Sequence, residues 1–315
     1  MSSFDVSVVG RVYVDHVFAG FKDEPKLGTE IYCSDYGRSI GGGSAITSYW
    51  LGSLGRKVQV ACVVGSDHHE WFCGELGRVG VNTDLVRVSE LNTGVTAAIT
   101  LGDDREYFTH LGANRYLEEY LDSAEVLDGL CRARHLHITI PLKRQLARKV
   151  IDHAHAAGLT VSLDVGYQPA WYADPENRKT LRELDFFFPN EKEAELLDLS
   201  GRDQQASWFA SEADIPSASR RRWVVIKQGS AGACAFDAQS WVHSTAPRVE
   251  AVDTTGAGEA FNAGFLDAFL RGGDIQACLR RACVAGALSV SKLGGVAAAA
   301  GHHVVDDLEE KTYGI

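Results

Sequence analysis

The stretch "AVDTTGAGEAF", Ala251–Phe261, sets two glycines around an alanine and follows them with a carboxylate. The residues beyond it, "EAFNAGFLDAFLRGG", carry helical spacing and end in glycines, so a helix starts close to Gly258. Small residues let a backbone approach an oxyanion closely. The free N–H groups and the dipole of a helix start favour phosphate there. Glu259 would stand at that end, in reach of a hydroxyl to be phosphorylated. The same residues also fit a plain glycine turn whose acid complements the helix dipole.

Working outward, the rhythm of apolar runs gives the fold class. "VSVV" at Val6–Val9, "KVQVACVVG", "HLHITIPL", "LTVSLDVG" and the "WVVIK" of "RRWVVIKQGSAGACAFD" read as buried strands. "GGGSAITSYWLGSLG" is a glycine-rich turn feeding a helix with Trp50, Leu51 and Leu54 on its apolar side. "HHEWFCGELGRVG" reads as a helix ending at Gly80, "RQLARKVIDHAHAAG" as another, and "TLRELDFFFPNEKEAELL" as a strand with a following helix. Strands separated by helical stretches of about a dozen residues predict a mainly parallel α/β sheet covered on both faces. Segments 11–38 and 94–112 do not fit that sheet. They alternate, carry Pro25 and Gly28, and include two strands around a turn at Gly102-Asp103-Asp104. They read as a small β lid over the sheet's carboxyl edge, inserted in one domain spanning 1–315.

Composition narrows the function classes. A net charge of −11 over 315 residues argues against nucleic acid or an anionic membrane as the main partner. "MSSFDVSVVG" lacks a signal-peptide pattern, and no segment is long and apolar enough to span a bilayer. The seven cysteines are scattered without a CxxC pair, as expected of reduced thiols in a cytoplasmic protein. His68–His69 and His302–His303 are adjacent pairs whose side chains point different ways, which suits solvated loops better than a metal site. No GxxxxGK[ST] sequence is present, so the P-loop design is absent.

DTTGAGE closely resembles the signature of ribokinase-like carbohydrate kinases, the PfkB family, whose usual form ends in Asp. Further stretches carry the resemblance in the right order: Asp15 after the first strand, Gly41 and Gly42 before a helix, "NTGVT" and "LGAN" around the second lid pair, "PNEKE" with its Asn-x-x-Glu, and "KQGSAG". The resemblance implies a ribokinase-like fold and ATP-dependent phosphorylation of a sugar-like hydroxyl with Mg²⁺. It leaves open a monovalent cation and a homodimer built through the lid. It implies that Gly256, Ala257 and Gly258 form the anion hole and that Glu259 holds the catalytic-base position. Asp15, Gly41, Gly42, Gly43 and Asn114 would contact the sugar. Asn190, Lys227, Gly229 and Thr254, with the glycines of the turn, would border the nucleotide. Glu193 would join the Mg²⁺–phosphate network through water. Asn190 and Glu193 also make a plain helix-capping pattern, and Asp15 also suits a turn acid.

The chain departs from the family pattern at several places. Glu259 replaces Asp. Ile46 stands where many relatives have a sugar-binding Asn, Thr139 where ribose-using members have Glu, and "DVGYQP" from Asp164 where many read Asp-Pro-Asn-x-Arg, so Gly166 and Gln168 replace an amide and a cation. Ribose-type contacts are thus largely missing, and "GGGSAIT" is closer to sulfofructose-type kinases. Arg38, Arg105 and Arg115 are available for an anionic substrate group, or are solvated lid charges. Trp50, Tyr107 and Phe108 would stack a base in a nucleoside kinase, or simply pack. The extra methylene of Glu259 displaces its carboxylate by ~1 Å, which can cost ~10²-fold in rate. Its intrinsic pKa differs from that of Asp by only about 0.4. The expectation concerns geometry: a helix start that absorbs the methylene, a protein that kept the fold and lost the rate, or an introduced change.

Overall fold

A computed structural model describes residues 2–21, 23, 26–101, 104–210 and 221–314. Among the described residues thirteen strands are formed: β1 (Val6–Val9), β2 (Tyr13–Phe21), β3 (Cys33–Gly41), β4 (Val58–Gly65), β5 (Val86–Ser89), β6 (Val95–Leu101), β7 (Asp104–His110), β8 (His135–Ile138), β9 (Thr160–Leu163), β10 (Phe186–Phe187), β11 (Trp223–Lys227), β12 (Ala233–Phe236) and β13 (Trp241–Ser244). Nine make one sheet in the order β13-β12-β11-β10-β9-β8-β1-β4-β5. Its pairings are parallel except at the β11–β12 and β12–β13 edge.

Continuous apolar runs become strands here because both sheet faces are covered. Alternation divides each run between two cores. Val6 and Val8 join Val58 and Val60 on one face, while Val9 joins Ala61 and Val63 on the other. The first face is covered by α1 (Gly43–Ser53), α2 (His69–Gly77), α5 (Ala257–Leu270) and α6 (Ile275–Ser289); the second includes α3 (Arg144–Ala156). The short α4 (Glu191–Glu195) follows β10, and α7 (His302–Tyr313) closes the chain. Trp50, Leu51 and Leu54 are fully buried. Trp50 also donates its indole N–H to the Gly295 carbonyl at 2.9 Å, which fixes α1 to the loop after α6.

The remaining four strands form the lid sheet, in the order β3-β2-β6-β7. β3 runs past the expected limit at 38 and ends at Gly41, so the lid passes directly into the glycine turn before α1. The turn expected at 102–104 lies largely outside the described residues. Two other readings are corrected. The helix expected to end at Gly80 ends at Gly77, because Gly80 takes φ +74° and the chain turns back there. The "TLRELDFFF" strand shrinks to Phe186–Phe187, because its first residues complete a helix, Pro175–Leu181, started by Asp174 as N-cap and Pro175.

Candidate active site

β1 ends under the lid, α5 starts beside it, and a cleft of ≈ 360 Å³ lies between them. Asp15, Thr96 and Thr109 face it from the lid, Gly42 and Ile46 from the start of α1, and residues 254–259 from the start of α5.

The α5 start has the form the sequence suggests. Gly256 is the N-cap in the left-handed region, φ +79°, where an L side chain is strained. A Cβ there would also stand 2.7 Å from the Gly295 Cα. Asp253 braces the turn from below: its two carboxylate oxygens accept the N–H groups of Thr255, at 2.7 Å, and Gly294, at 2.6 Å. Ala257, Gly258 and Glu259 form the first turn of α5, whose N–H groups have no intrahelical acceptors.

Asp15 sits on β2 opposite Ser39 and beside Thr96. It is 7% exposed, and burial, then Glu259, then Asp253 push its carboxyl up to about 7. Gly41 is required by this packing, since a Cβ on it would meet the Asp15 carboxylate at 2.0 Å. Gly42 lines the cleft, whereas a Cβ on Gly43 would press on Thr139 at 2.9 Å. Glu259 is raised by burial and by Asp164, against the pull of Lys227 and of its own backbone N–H. A carboxylate drawn back toward its own amide is one way for the helix start to take up the extra methylene.

Residues expected on the nucleotide side gather at the ends of β9 and β11. Lys227 Nζ lies 2.6 Å from Asp164 Oδ2, and the same oxygen accepts Asn262 Nδ2 at 2.6 Å. Lys227 also stands 3.4 Å from where a Gly258 Cβ would be, directly beneath the glycine turn. Burial acts to lower Lys227, but Asp164, Glu193 and Glu259 outweigh it and the ammonium is held above its usual value. Asp164 is held low despite burial by Lys227 and Asn262. Asn190 and Glu193 form a reciprocal cap. Asn190 Oδ1 accepts the Glu193 N–H at 2.9 Å, and both Glu193 oxygens are held by Asn190 nitrogens at 2.7–2.9 Å. Burial and then Asp164 raise Glu193 to about 7.

Not every expected residue reaches the cleft. Asn114 spends its amide on backbone, accepting from Val12 N–H at 3.0 Å and donating to the carbonyls of Val12 and Leu111 at 2.8 and 3.0 Å. It pins the lid's root and does not line the cleft. Gly229 is exposed on the short turn after β11. Trp50 is core, and Phe108 lies on the face of β7 opposite Tyr107, which does line the cleft. Arg38 stacks over Trp71 at 4.8 Å, on the lid face opposite Asp15. Arg115 is exposed, and the Arg105 side chain lies outside the described residues. Among the described residues no group of three or more His, Cys, Asp or Glu could hold a metal, the two histidine pairs included.

Sequence reading missed Asp164, Asn262 and Asp253 as site residues. Asp164 follows β9 at its carboxyl end, where ligands gather in such sheets; Asn262 lies one helical turn beyond Gly258; Asp253 opens the glycine motif itself.

The sequence and fold have close counterparts. Residues 4–300 match the pfkB family carbohydrate kinase. An ATP-dependent ribose-1-phosphate kinase from Halopiger xanaduensis is 30% identical over 279 residues, spanning 87% of this chain and 88% of that protein. A deoxyribokinase from Salmonella typhi is 26% identical, over 92% and 94% of the two chains. Arabidopsis thaliana ribokinase, solved with ribose and ATP, superposes with a TM-score of 0.82 at 25% identity, over 98% of this chain and 99% of that one. With its ribokinase-like sheet and lid, this chain belongs to the pfkB family of carbohydrate kinases.

Proposed function

We propose that Glu259 is the base for transfer of the ATP γ-phosphoryl group to a hydroxyl of a sugar or sugar derivative. As a member of its family the chain is an ATP-dependent sugar kinase. The observation that carries the proposal is the placing of Asp15 and Glu259 on one cleft whose floor is the Gly256–Gly258 helix start. Asp15 accepts substrate hydroxyls and orients the sugar. Glu259 takes the proton of the attacking hydroxyl. The N–H groups of the turn, with Lys227 beneath them, hold the negative oxygens of the transferring group. Phosphoryl transfer asks little more of a protein than alignment and charge neutralisation.

The donor set fits Mg²⁺ carried on nucleotide phosphates. The Glu193 and Asp164 oxygens are engaged by Asn190, Lys227 and Asn262. Glu193 would therefore hold the ion through its water shell, as is usual for Mg²⁺ on phosphates. Mg²⁺, when bound, neutralises phosphate charge and aligns the group to be moved. The test is coupled ADP release over ketoses, aldoses, sugar phosphates and nucleosides. Turnover with at least one class is expected; tight MgATP binding without any turnover would overturn the reading. The same assay with K⁺ exchanged for a bulky organic cation tests the monovalent ion. A homodimer through the lid is favoured by Tyr36 and Phe108, 57% and 58% exposed on its outer face. Light scattering of the purified chain tests it: a monomer at micromolar concentration would exclude it.

A further inference from the structure

The sugar half of the cleft is polar on one wall. The start of α1 gives it Gly42 and Ile46, neither with a hydrogen-bonding side chain. The lid gives it Tyr13, Asp15, Thr96, Tyr107 and Thr109. Three of these stand in one line across three strands. Asp15 on β2 pairs with Thr96 on β6, and Thr96 pairs with Thr109 on β7. Cross-strand partners on one face lie within reach of each other. The Thr96 and Thr109 hydroxyl oxygens are 3.2 Å apart, and the Thr96 hydroxyl also bonds the Asp15 carboxyl. That carboxyl is seated over Gly41, where a Cβ would meet its two oxygens at 2.0 and 2.1 Å. Thr96 is 8% exposed, whereas Thr109 is exposed at the mouth of the row.

The row has a direction. A threonine hydroxyl carries one proton and two lone pairs, and an ionised carboxylate only accepts. Thr96 therefore gives its proton to Asp15. It then accepts from Thr109, whose one proton is engaged in turn. What remains toward the cleft is acceptor capacity, the lone pairs of Thr109 and of Asp15. The lining adds a further carboxylate, Glu259, and among the described residues no Lys or Arg. Such a row matches groups that donate a hydrogen bond. It offers no donor to a fluorine, an ether oxygen or a phosphate oxygen set against it.

Resting on the kinase reading above, we propose that Thr109 determines specificity by accepting the O–H of one sugar hydroxyl beside those held by Asp15, with Thr96 as the positioning residue that fixes its direction. The substrate is then a sugar with a free hydroxyl at that position, selected over the counterpart that is deoxygenated or phosphorylated there. A site built to hydrogen-bond a hydroxyl discriminates against the analogue lacking it, because its own polar group is left unpaired.

The experiment takes the best sugar of the panel with its monodeoxy and monofluoro analogues, each hydroxyl altered in turn. It measures kcat/KM and thermal shift at about pH 8, where Asp15 is chiefly ionised, for wild type, Thr109→Val, Thr109→Ser and Thr96→Val. In wild type, either change at the position read by Thr109 should lower kcat/KM about 10-fold, since fluorine keeps much of the size and loses the proton. Thr109→Val should lower kcat/KM for the parent sugar about 3- to 10-fold, chiefly through KM, and leave the analogue altered at that position within about 2-fold. Discrimination then collapses at one position only. Thr109→Ser keeps the hydroxyl and should retain it. Thr96→Val should weaken it, because the Thr109 proton is then free to turn to the cleft. A Thr109→Val that weakens parent and analogues alike, or that changes none of them, would overturn the proposal, as would fluoro analogues that all perform like the parent. If no sugar turns over, the kinase reading fails by itself. Thermal shifts that shrink on deoxygenation at one position in wild type, and no longer do so in Thr109→Val, would still uphold this inference; shifts indifferent to every hydroxyl would sink it.

Discussion

Lys227 and Asp164 meet at 2.6 Å beneath the glycine turn, each with a side chain about one-eighth exposed. Three carboxylates, those of Asp164, Glu193 and Glu259, all act on the ammonium. Replacing it by Lys227→Met leaves those charges unpaired in a buried place, which costs ~3–5 kcal/mol for a broken buried pair. A fall in Tm and a rise in the Kd for MgATP of about 10-fold or more are expected, the latter measured by calorimetry. Unchanged MgATP affinity would remove Lys227 from the phosphate site.

Asp164→Asn should behave differently. It keeps an acceptor for Lys227 but frees the ammonium from its counter-charge. MgATP affinity is expected to hold or tighten while kcat falls, because the ammonium is no longer anchored beside Asn262. Parallel loss of affinity, turnover and Tm would mark Asp164 as a structural residue only.

The glycine turn allows a stability prediction. Gly256→Ala places a Cβ in the left-handed region and 2.7 Å from the Gly295 Cα. A cost of about 1–3 kcal/mol is expected from backbone strain alone, read by urea denaturation, with turnover lost because the N–H groups are re-aimed. Wild-type stability and rate would show that the turn's geometry is dispensable.

Opposed pH effects follow from two buried sets of groups. Burial, chiefly, lowers His135 to about 3 and His137 to about 4, and both are fully buried on β8. Their stabilising contribution is complete above the ordinary imidazole value of 6.5 and is lost as pH falls through those lowered values. Asp15 and Glu193, raised to about 7, contribute fully below their ordinary values and lose that contribution as pH rises through 7. The two slopes oppose one another between about pH 4 and 7. Asp15→Asn removes one of them. Its Tm should exceed that of wild type at pH 8, by an amount worth at most about 4 kcal/mol, and the gap should close by about pH 4. A gap that persists unchanged at pH 4 would refute the assignment.

Much of this architecture could be read from local pattern, and the reasons are specific. Val6–Val9 and the run from Val58 are apolar throughout because parallel strands are covered twice. The glycine motif of α5 is legible because positive φ and the close approach of Gly295 both restrict residue choice at Gly256. The strand at Phe186–Phe187 is shorter than its sequence run suggests because the helix capped by Asp174 and Pro175 takes Thr180 and Leu181. Asp164 and Asn262 become site residues only when β9, β11 and α5 come together, over sequence separations of 63 and 98. Asn114 shows the converse. Its motif pointed to a ligand, and the fold spends its amide on Val12 and Leu111.

Glu259→Asp probes the fit of the longer acid. If the helix start has adapted to Glu, shortening the side chain withdraws the carboxylate by ~1 Å and lowers kcat by up to ~10²-fold. A large gain in kcat would instead show that the extra methylene impairs this chain.

The central claim, that Glu259 is the base, is tested most directly by Glu259→Gln. The amide keeps size and hydrogen bonding but cannot take the proton. The account predicts a kcat about 10²- to 10⁴-fold below wild type for the best substrate of the panel, with MgATP affinity within about 3-fold by calorimetry. A Glu259→Gln variant that retains wild-type kcat would contradict it.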